Sequence, residues 1–287
     1  MHCVSIVGCG YTGQRLSRRW SGLGAAVHGY ASRAASLPAI AATGAAAVAL
    51  DLDGPPGRTP LETGGQLVYY AVPPPPYGAT DPRLERFLAQ TTGTTQRLIY
   101  LSTTGVYGDH SGGRVDEDTP PAPTSSRAVR RLAAETALRA WADRRGISWC
   151  ILRVGGIYGP DRLPIERLRR GEPAIAAEEA APTNRIHVDD LVSACVAAGV
   201  AASADRRIFN VTDGSDDSLT AYLQRVARIA NVPAPPLISR EEAQTSFSAA
   251  AWSFLGESRR VDNRRMREVL GVALVYHDLD AGIRASL

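Results

Sequence analysis

Short apolar runs alternate with amphipathic stretches through the first half of the chain. An apolar run at residues 4–7 is followed by a helical pattern in which Leu16, Trp20 and Leu23 fall on one face. Residues 27–30 and 46–50 read as the second and third strands. The run LVYYAV at 67–72 is apolar on both faces, as a fully buried strand must be. Four prolines at 73–76 end it, because proline cannot continue a strand ladder. Asp81 then caps a helix with Pro82 at its first position, burying Leu84, Phe87 and Leu88. Residues 98–102 form the next strand. A helix over about 127–144 has Val129, Leu132, Thr136 and Ala140 on its inner face and Gly146 as its stop, and a strand at 148–154 follows. This alternation predicts βαβ units around a parallel sheet.

Beyond Gly159 the regularity loosens. A basic helix at 163–170, a helix after Asp189, a strand at 208–211 and a helix at 219–229 are expected. A capping box of Ser239 and Glu242 opens a further helix, and a short one precedes Gly271. Asp189 and Asp190 favour the start of their helix through capping and the macrodipole. No repeat or long linker interrupts the chain, and the prolines at 233–236 mark a loop.

The first strand ends in VGCGYTG, with Gly8, Gly10 and Gly13 at G-x-G-x-x-G spacing. Placed between a strand and a helix, this turn presents backbone N–H groups of Cys9, Gly10, Tyr11 and Thr12 to a pyrophosphate. It therefore predicts a dinucleotide site.

A hydrophobic content of 44% over 287 residues suits a globular protein, and a net charge of +3 is too small to imply nucleic acid or an anionic membrane as partner. The longest apolar stretch, 39–50, is too short to span a bilayer, and no charged leader precedes the first strand. Cys3, Cys9, Cys150 and Cys195 lack metal or redox spacing, which points to reduced thiols in a cytoplasmic protein. His2, His28, His110, His187 and His277 include no pair with metal-ligand spacing, so no metal site is expected. His187 is expected to pack or bond locally at a domain junction. No G-x-S-x-G elbow supports a hydrolase triad. All 32 basic residues are arginine, which excludes Schiff-base and lysine general-base chemistry. Arg259, Arg260, Arg264 and Arg265 read as a solvated helix face, with Arg259 or Arg260 as an alternative contact for an anionic group. The sequence does not distinguish a monomer from a dimer.

Four later segments, LSTTGVYG (101–108), LRVGGIYGP (152–160), NRIHVDDL (184–191) and FNVTDG (209–214), follow the glycine loop in order. Together they resemble the extended short-chain dehydrogenase/reductases, the NAD-dependent epimerase/dehydratase group. The resemblance implies a Rossmann doubly wound parallel sheet over 1–160, rejoined by 184–212. A small C-terminal α/β substrate lobe from 161–183 and 213–287 completes it, with the site in the cleft between.

Two departures are visible. The glycine loop is not the usual G-x-x-G-x-x-G, and the Y-x-x-x-K pair is missing. Counting back from Glu135 puts Arg131 at the lysine position and Arg127 at the tyrosine position, and no tyrosine lies between Tyr107 and Tyr158. Such departures resemble atypical members of the superfamily, the YeeZ-like proteins among them. A guanidinium offers donors only, so Arg127 cannot act as acid or base, although it can bind an anion or simply lie on a solvated face. Arg131 can still donate to a ribose or phosphate.

Thr103 matches the hydroxyl position that polarises the substrate carbonyl in active relatives, and a strand-end hydroxyl bonded to backbone is the competing reading. Tyr107 is the remaining candidate proton donor, and epimerase or dehydratase chemistry would need such a base. Tyr158 and Arg127 are candidate substrate contacts.

For the cofactor, no acid closes the second strand. Ser32 and Arg33 stand there instead, with Arg15 adding positive field, which favours NADP over NAD. By resemblance, Asp51 and Leu52 contact the adenine, and Ala71 and Val72 lie along the ribose and pyrophosphate. The reading is an NAD(P)-binding, oxidoreductase-type protein acting on a small carbonyl or nucleotide-linked substrate. A non-catalytic dinucleotide sensor and a sugar-nucleotide epimerase or dehydratase are the alternatives.

Overall fold

The structure is a computed structural model that describes residues 2–54 and 60–287. The apolar runs become strands β1 (Cys3–Val7), β2 (Ala26–Ala31), β3 (Ala46–Ala49), β4 (Leu67–Tyr70), β5 (Arg97–Thr103), β6 (Ser148–Val154) and β7 (Arg207–Val211). They form one parallel sheet in the order β7-β6-β5-β4-β1-β2-β3. The order reverses between β1 and β4, the switch point at which open α/β sheets leave a crevice. Register brings Val7 level with Tyr30 on one side and Tyr70 on the other, so several strand ends line one edge of that crevice.

The helices are α1 (Tyr11–Gly22), α2 (Leu37–Ala41), α3 (Pro82–Gln90), α4 (Ser126–Arg144), α5 (Ile165–Arg169), α6 (Val188–Val200), α7 (Leu219–Ile229), α8 (Arg240–Ser246), α9 (Ala249–Leu255), α10 (Arg264–Glu268) and α11 (Leu279–Ala285). Leu16 and Trp20 of α1 and Leu191 of α6 pack on one sheet face with Val4, Ile6 and Ile99. Leu84 and Phe87 of α3 and Leu138 and Trp141 of α4 pack on the other with Val68, Tyr70 and Tyr100. Strand β4 therefore feeds both cores, Leu67 and Tyr69 to one and Val68 and Tyr70 to the other. The Asp81 carboxylate accepts the Leu84 N–H, as expected of the cap.

Two inner faces differ from expectation. Helix α1 ends at Gly22, and Gly24 turns the chain at φ +77°, leaving Leu23 51% exposed. Helix α4 turns Ala128, Ala134, Leu138 and Ala142 inward, together with Arg130 and Glu135, rather than Val129, Leu132, Thr136 and Ala140. Two of its inward residues are charged, Glu135 paired within the core and Arg130 donating to Gly78 O, so the apolar positions alone do not mark the inner face.

A third cluster of Tyr158, Leu168, Tyr222, Leu223, Val226, Leu279 and Ile283 joins α5, α7 and α11. The N-cap of α6 is His187, whose Nδ1 accepts the Asp189 N–H, and its Nε2 lies 3.2 Å from Ser286 Oγ. Asp190 does not serve the helix dipole from the surface. It is buried and accepts the N–H groups of Val275 at 2.8 Å and Tyr276 at 3.0 Å, fastening the C-terminal segment to the sheet domain. Arg260 lies in a strand pairing, Arg260–Val261 with Arg114–Val115, and not on a helix. Among the described residues no helix is long and apolar enough to cross a membrane, and no cluster of ligating side chains could hold a metal ion.

Candidate cofactor and substrate site

The glycine turn is closed by sterics. Gly8 has φ +90°, and a Cβ there would meet Val72 N at 2.8 Å and the Ala71 carbonyl carbon at 2.9 Å. A Cβ at Gly13 would sit 2.9 Å from Gly8 O, so the helix packs directly on the turn. A Cβ at Gly10 would meet nothing within 4 Å. The first and third glycines thus serve the fold, and the second keeps the space above the turn open. Gly10 is also the N-cap of α1 and contributes no side-chain cap, which leaves the helix's first N–H groups for an anion. A dinucleotide's pyrophosphate fits this cradle.

A cleft of about 590 Å³ extends from the turn, bordered by Cys9, Tyr11, Thr12, Ser32, Arg33, Asp51, Leu52, Ala71, Val72 and Arg131, all of them expected there. Contrary to expectation, Cys9 and Gly10 do not offer their N–H groups to the pyrophosphate, and Gly10 N–H goes to Gly8 O at 2.8 Å. The N–H of Cys9 goes to Tyr30 O at 2.8 Å, and its buried thiol, pushed up to about 11 by desolvation, lies under Gly29. Tyr11 donates to Pro160 O at 2.8 Å, with the guanidinium carbons of Arg15 and Arg162 3.9 and 4.1 Å from its ring centre. Arg15 is thereby turned away from the cleft it was expected to charge.

Ser32 and Arg33 are exposed on the rim at the end of β2, and among the described residues no carboxylate pairs with Arg33. The cleft's two acids follow β3. Asp51 accepts the Asp53 N–H, and Asp53 is held bidentately by Arg83 at 2.7 and 2.6 Å. Sequence reading missed Arg83, which also donates to Pro73 O and so braces the proline loop.

Ile157 and Arg162 border both this cleft and a second cavity of about 880 Å³. Thr103, Arg127 and Tyr158 line the second cavity. Thr103 Oγ1 accepts the Gly105 N–H at 3.2 Å, a strand-end bond that leaves its own proton for donation. Arg127 places its guanidinium carbon 3.4 Å from the centre of the Phe254 ring, and burial pushes its pKa down. Arg131 donates to Tyr100 Oη at 3.1 Å and to Leu101 O at 3.0 Å, which fixes it on the cofactor side. Tyr158 lines the cavity, but its hydroxyl is buried against Gly282 of α11, and desolvation raises its pKa.

Tyr107 does not reach either space. It is fully buried, donates to Asn210 Oδ1 at 2.7 Å, and is pushed up to about 12 by desolvation. Its place is beneath the site, which removes it as a proton donor.

Behind the site lies a buried polar chain that the sequence signalled only by an arginine within an apolar strand. Ser102 donates to Glu135 Oε1 at 2.5 Å, and Arg153 of β6 pairs with Glu135 at 2.8 Å and lies over the Tyr107 ring. Nearby, Asp213 is buried beside Arg185, and desolvation raises its carboxyl from 3.8 to about 6.

Two outcomes follow from this geometry. Gly8→Ala should destabilise the fold by roughly 2–4 kcal/mol, whereas Gly10→Ala should stay within about 1 kcal/mol; urea denaturation yielding equal losses would contradict the assigned roles. Because folded Asp213 binds its proton more tightly than the unfolded chain, its contribution to stability falls as pH rises from about 4 to about 6 and stays lower above. Between about pH 4 and about pH 7 the unsubstituted protein should lose roughly 2–3 kcal/mol more stability than Asp213→Asn. Parallel losses would contradict the burial effect.

Known proteins resemble this chain. Residues 84–212 match the model of the NAD dependent epimerase/dehydratase family. Protein YeeZ of Escherichia coli (strain K12) is 27% identical over 63% of this chain and 59% of its own length. A 3-diazoavenalumate denitrifying reductase of a Streptomyces species is 30% identical over 61% of this chain and 60% of its own. The chain thus aligns with about three-fifths of the length of these curated relatives. A solved structure of a functionally unknown conserved protein from Silicibacter pomeroyi superposes with a TM-score of 0.85 at 30% identity, covering 99% of this chain and 98% of that one. With the doubly wound sheet and the glycine cradle, the chain belongs to the NAD-dependent epimerase/dehydratase group of the short-chain dehydrogenase/reductases, as an atypical member lacking Y-x-x-x-K.

Proposed function

We propose that this protein binds NADP(H) in the cleft above the glycine turn and carries out oxidoreductase-type chemistry on a carbonyl substrate in the adjoining cavity. The observation that carries the cofactor choice is the rim of β2, where Ser32 and unpaired Arg33 stand and an acid does not. A 2′-phosphate would find donors there, whereas a 2′-hydroxyl would find no carboxylate at the strand end to accept its proton. Asp51 and Leu52 would hold the adenine, Ala71 and Val72 the ribose and pyrophosphate, and Arg131 the second ribose.

When bound, the nicotinamide supplies or accepts a hydride. Thr103 then polarises the substrate oxygen by donating its free proton. Arg127 and Arg131 can stabilise negative charge but cannot deliver a proton, so water entering the open cavity supplies it. Epimerase or dehydratase chemistry gains no support from Tyr107, whose hydroxyl is spent on Asn210.

A non-catalytic, dinucleotide-binding role is the second reading. It is favoured by the guanidinium groups at both positions of the pair. Turnover separates the two: NADPH binding without its consumption on a carbonyl panel would favour the second.

NADPH should bind roughly tenfold more tightly than NADH, and Arg33→Glu should reverse that order. Fluorescence titration giving equal affinities in the unsubstituted protein would contradict the assignment.

A further inference from the structure

Among the described residues, five arginines and two glutamates line the cavity beside Thr103. Both glutamates already have partners. Glu172 lies 2.6 Å from Arg170 and 3.5 Å from Arg167, while Glu257 accepts from Thr124 and pairs with Arg259 at 2.9 Å. Three of the lining arginines are partly desolvated. Burial lowers the pKa of Arg127, Arg167 and Arg185, against the opposing pull of Glu257 on Arg127, Glu172 on Arg167 and Asp213 on Arg185. Arg259 Nε is buried without an acceptor among the described residues.

The neutral polar groups of the wall are mostly committed to the protein itself. Asn184 donates to Arg259 O and accepts from Val261 N, which uses both ends of its amide. Thr183 donates to Asp217 O, and Arg185 to Thr183, Asp217 and Ser218. Between these groups the wall is apolar, with Ile157, Leu219, Phe247 and Leu255. A nucleotide would need several uncommitted partners for base and ribose. A planar carboxylate needs only guanidinium donors, and burial of an apolar body supplies the rest of the affinity.

We propose that the cavity takes a carboxylate-bearing substrate with an apolar body rather than a nucleotide-linked one. Its carboxylate is held by Arg127 and Arg259, and its body lies against Leu219, Phe247 and Leu255. This rests on the oxidoreductase reading above and narrows its substrate class. An anion placed there would give the buried Arg259 Nε an acceptor.

Calorimetric titration of the NADPH-loaded protein tests this with 4-phenylbutanoate, its amide 4-phenylbutanamide, and UDP-glucose. The acid should bind at least about tenfold more tightly than the amide and more tightly than UDP-glucose. Arg127→Gln should abolish the preference for the acid while leaving NADPH affinity unchanged. Equal binding of acid and amide, no binding of the acid, or tighter binding of UDP-glucose would overturn the proposal, and these comparisons need no variant to fold. A protein that binds NADPH but fails them loses only the substrate assignment. One that selects the acid without binding NADPH keeps that assignment and loses the cofactor reading.

Discussion

At the end of β1 the backbone passes so close to the end of β4 that no side chain fits at Gly8. That approach sets the direction in which the chain leaves the sheet. It also lets Gly13 pack on the turn, so that α1 starts directly over the switch point with its uncapped N–H groups facing the crevice. Parallel register then carries the constraint outward. Ser32 and Arg33 follow β2, Asp51 follows β3, Ala71 and Val72 follow β4, and Thr103 ends β5, all along one edge. The cofactor cleft is therefore a consequence of strand order and one close backbone contact.

The other half of the site depends on how α4 is held. Glu135 binds Ser102 of β5 and Arg153 of β6, and both members of the ion pair are almost completely buried. Such a pair is strongly destabilised by loss of one partner, so it fixes the rotation of the helix against the sheet. That rotation puts Arg131 on the cofactor cleft and Arg127 on the adjoining cavity. Guanidinium groups at both places bind anions and do not exchange protons near neutral pH.

Most of the sheet and the whole glycine loop were legible in the sequence, because short apolar runs and glycine spacing are local signals. The inner face of α4 was not, since Arg130 and Glu135 point inward, and their partners Gly78, Ser102 and Arg153 lie elsewhere along the chain. Asp190 looked like a helix-terminus carboxylate, and its partners, the N–H groups of Val275 and Tyr276, lie more than 80 positions away. The second cavity was the least legible. Its walls come from Thr103, Arg127, Tyr222, Phe254 and Arg259, which only tertiary packing brings together. Chemistry that depends on one turn can be read from a motif, whereas chemistry that depends on distant segments packing together cannot.

The central claim is that a dinucleotide lies across the glycine turn with its reactive end beside Thr103 and no protein acid next to it. A crystal structure of the NADPH complex tests it most directly. The account predicts the pyrophosphate over Gly10 and the first turn of α1, the 2′-phosphate against Ser32 and Arg33, and the nicotinamide between Thr103 and Ile157. A 2′-phosphate directed away from Arg33, or a tyrosine hydroxyl moved into contact with the nicotinamide, would contradict it.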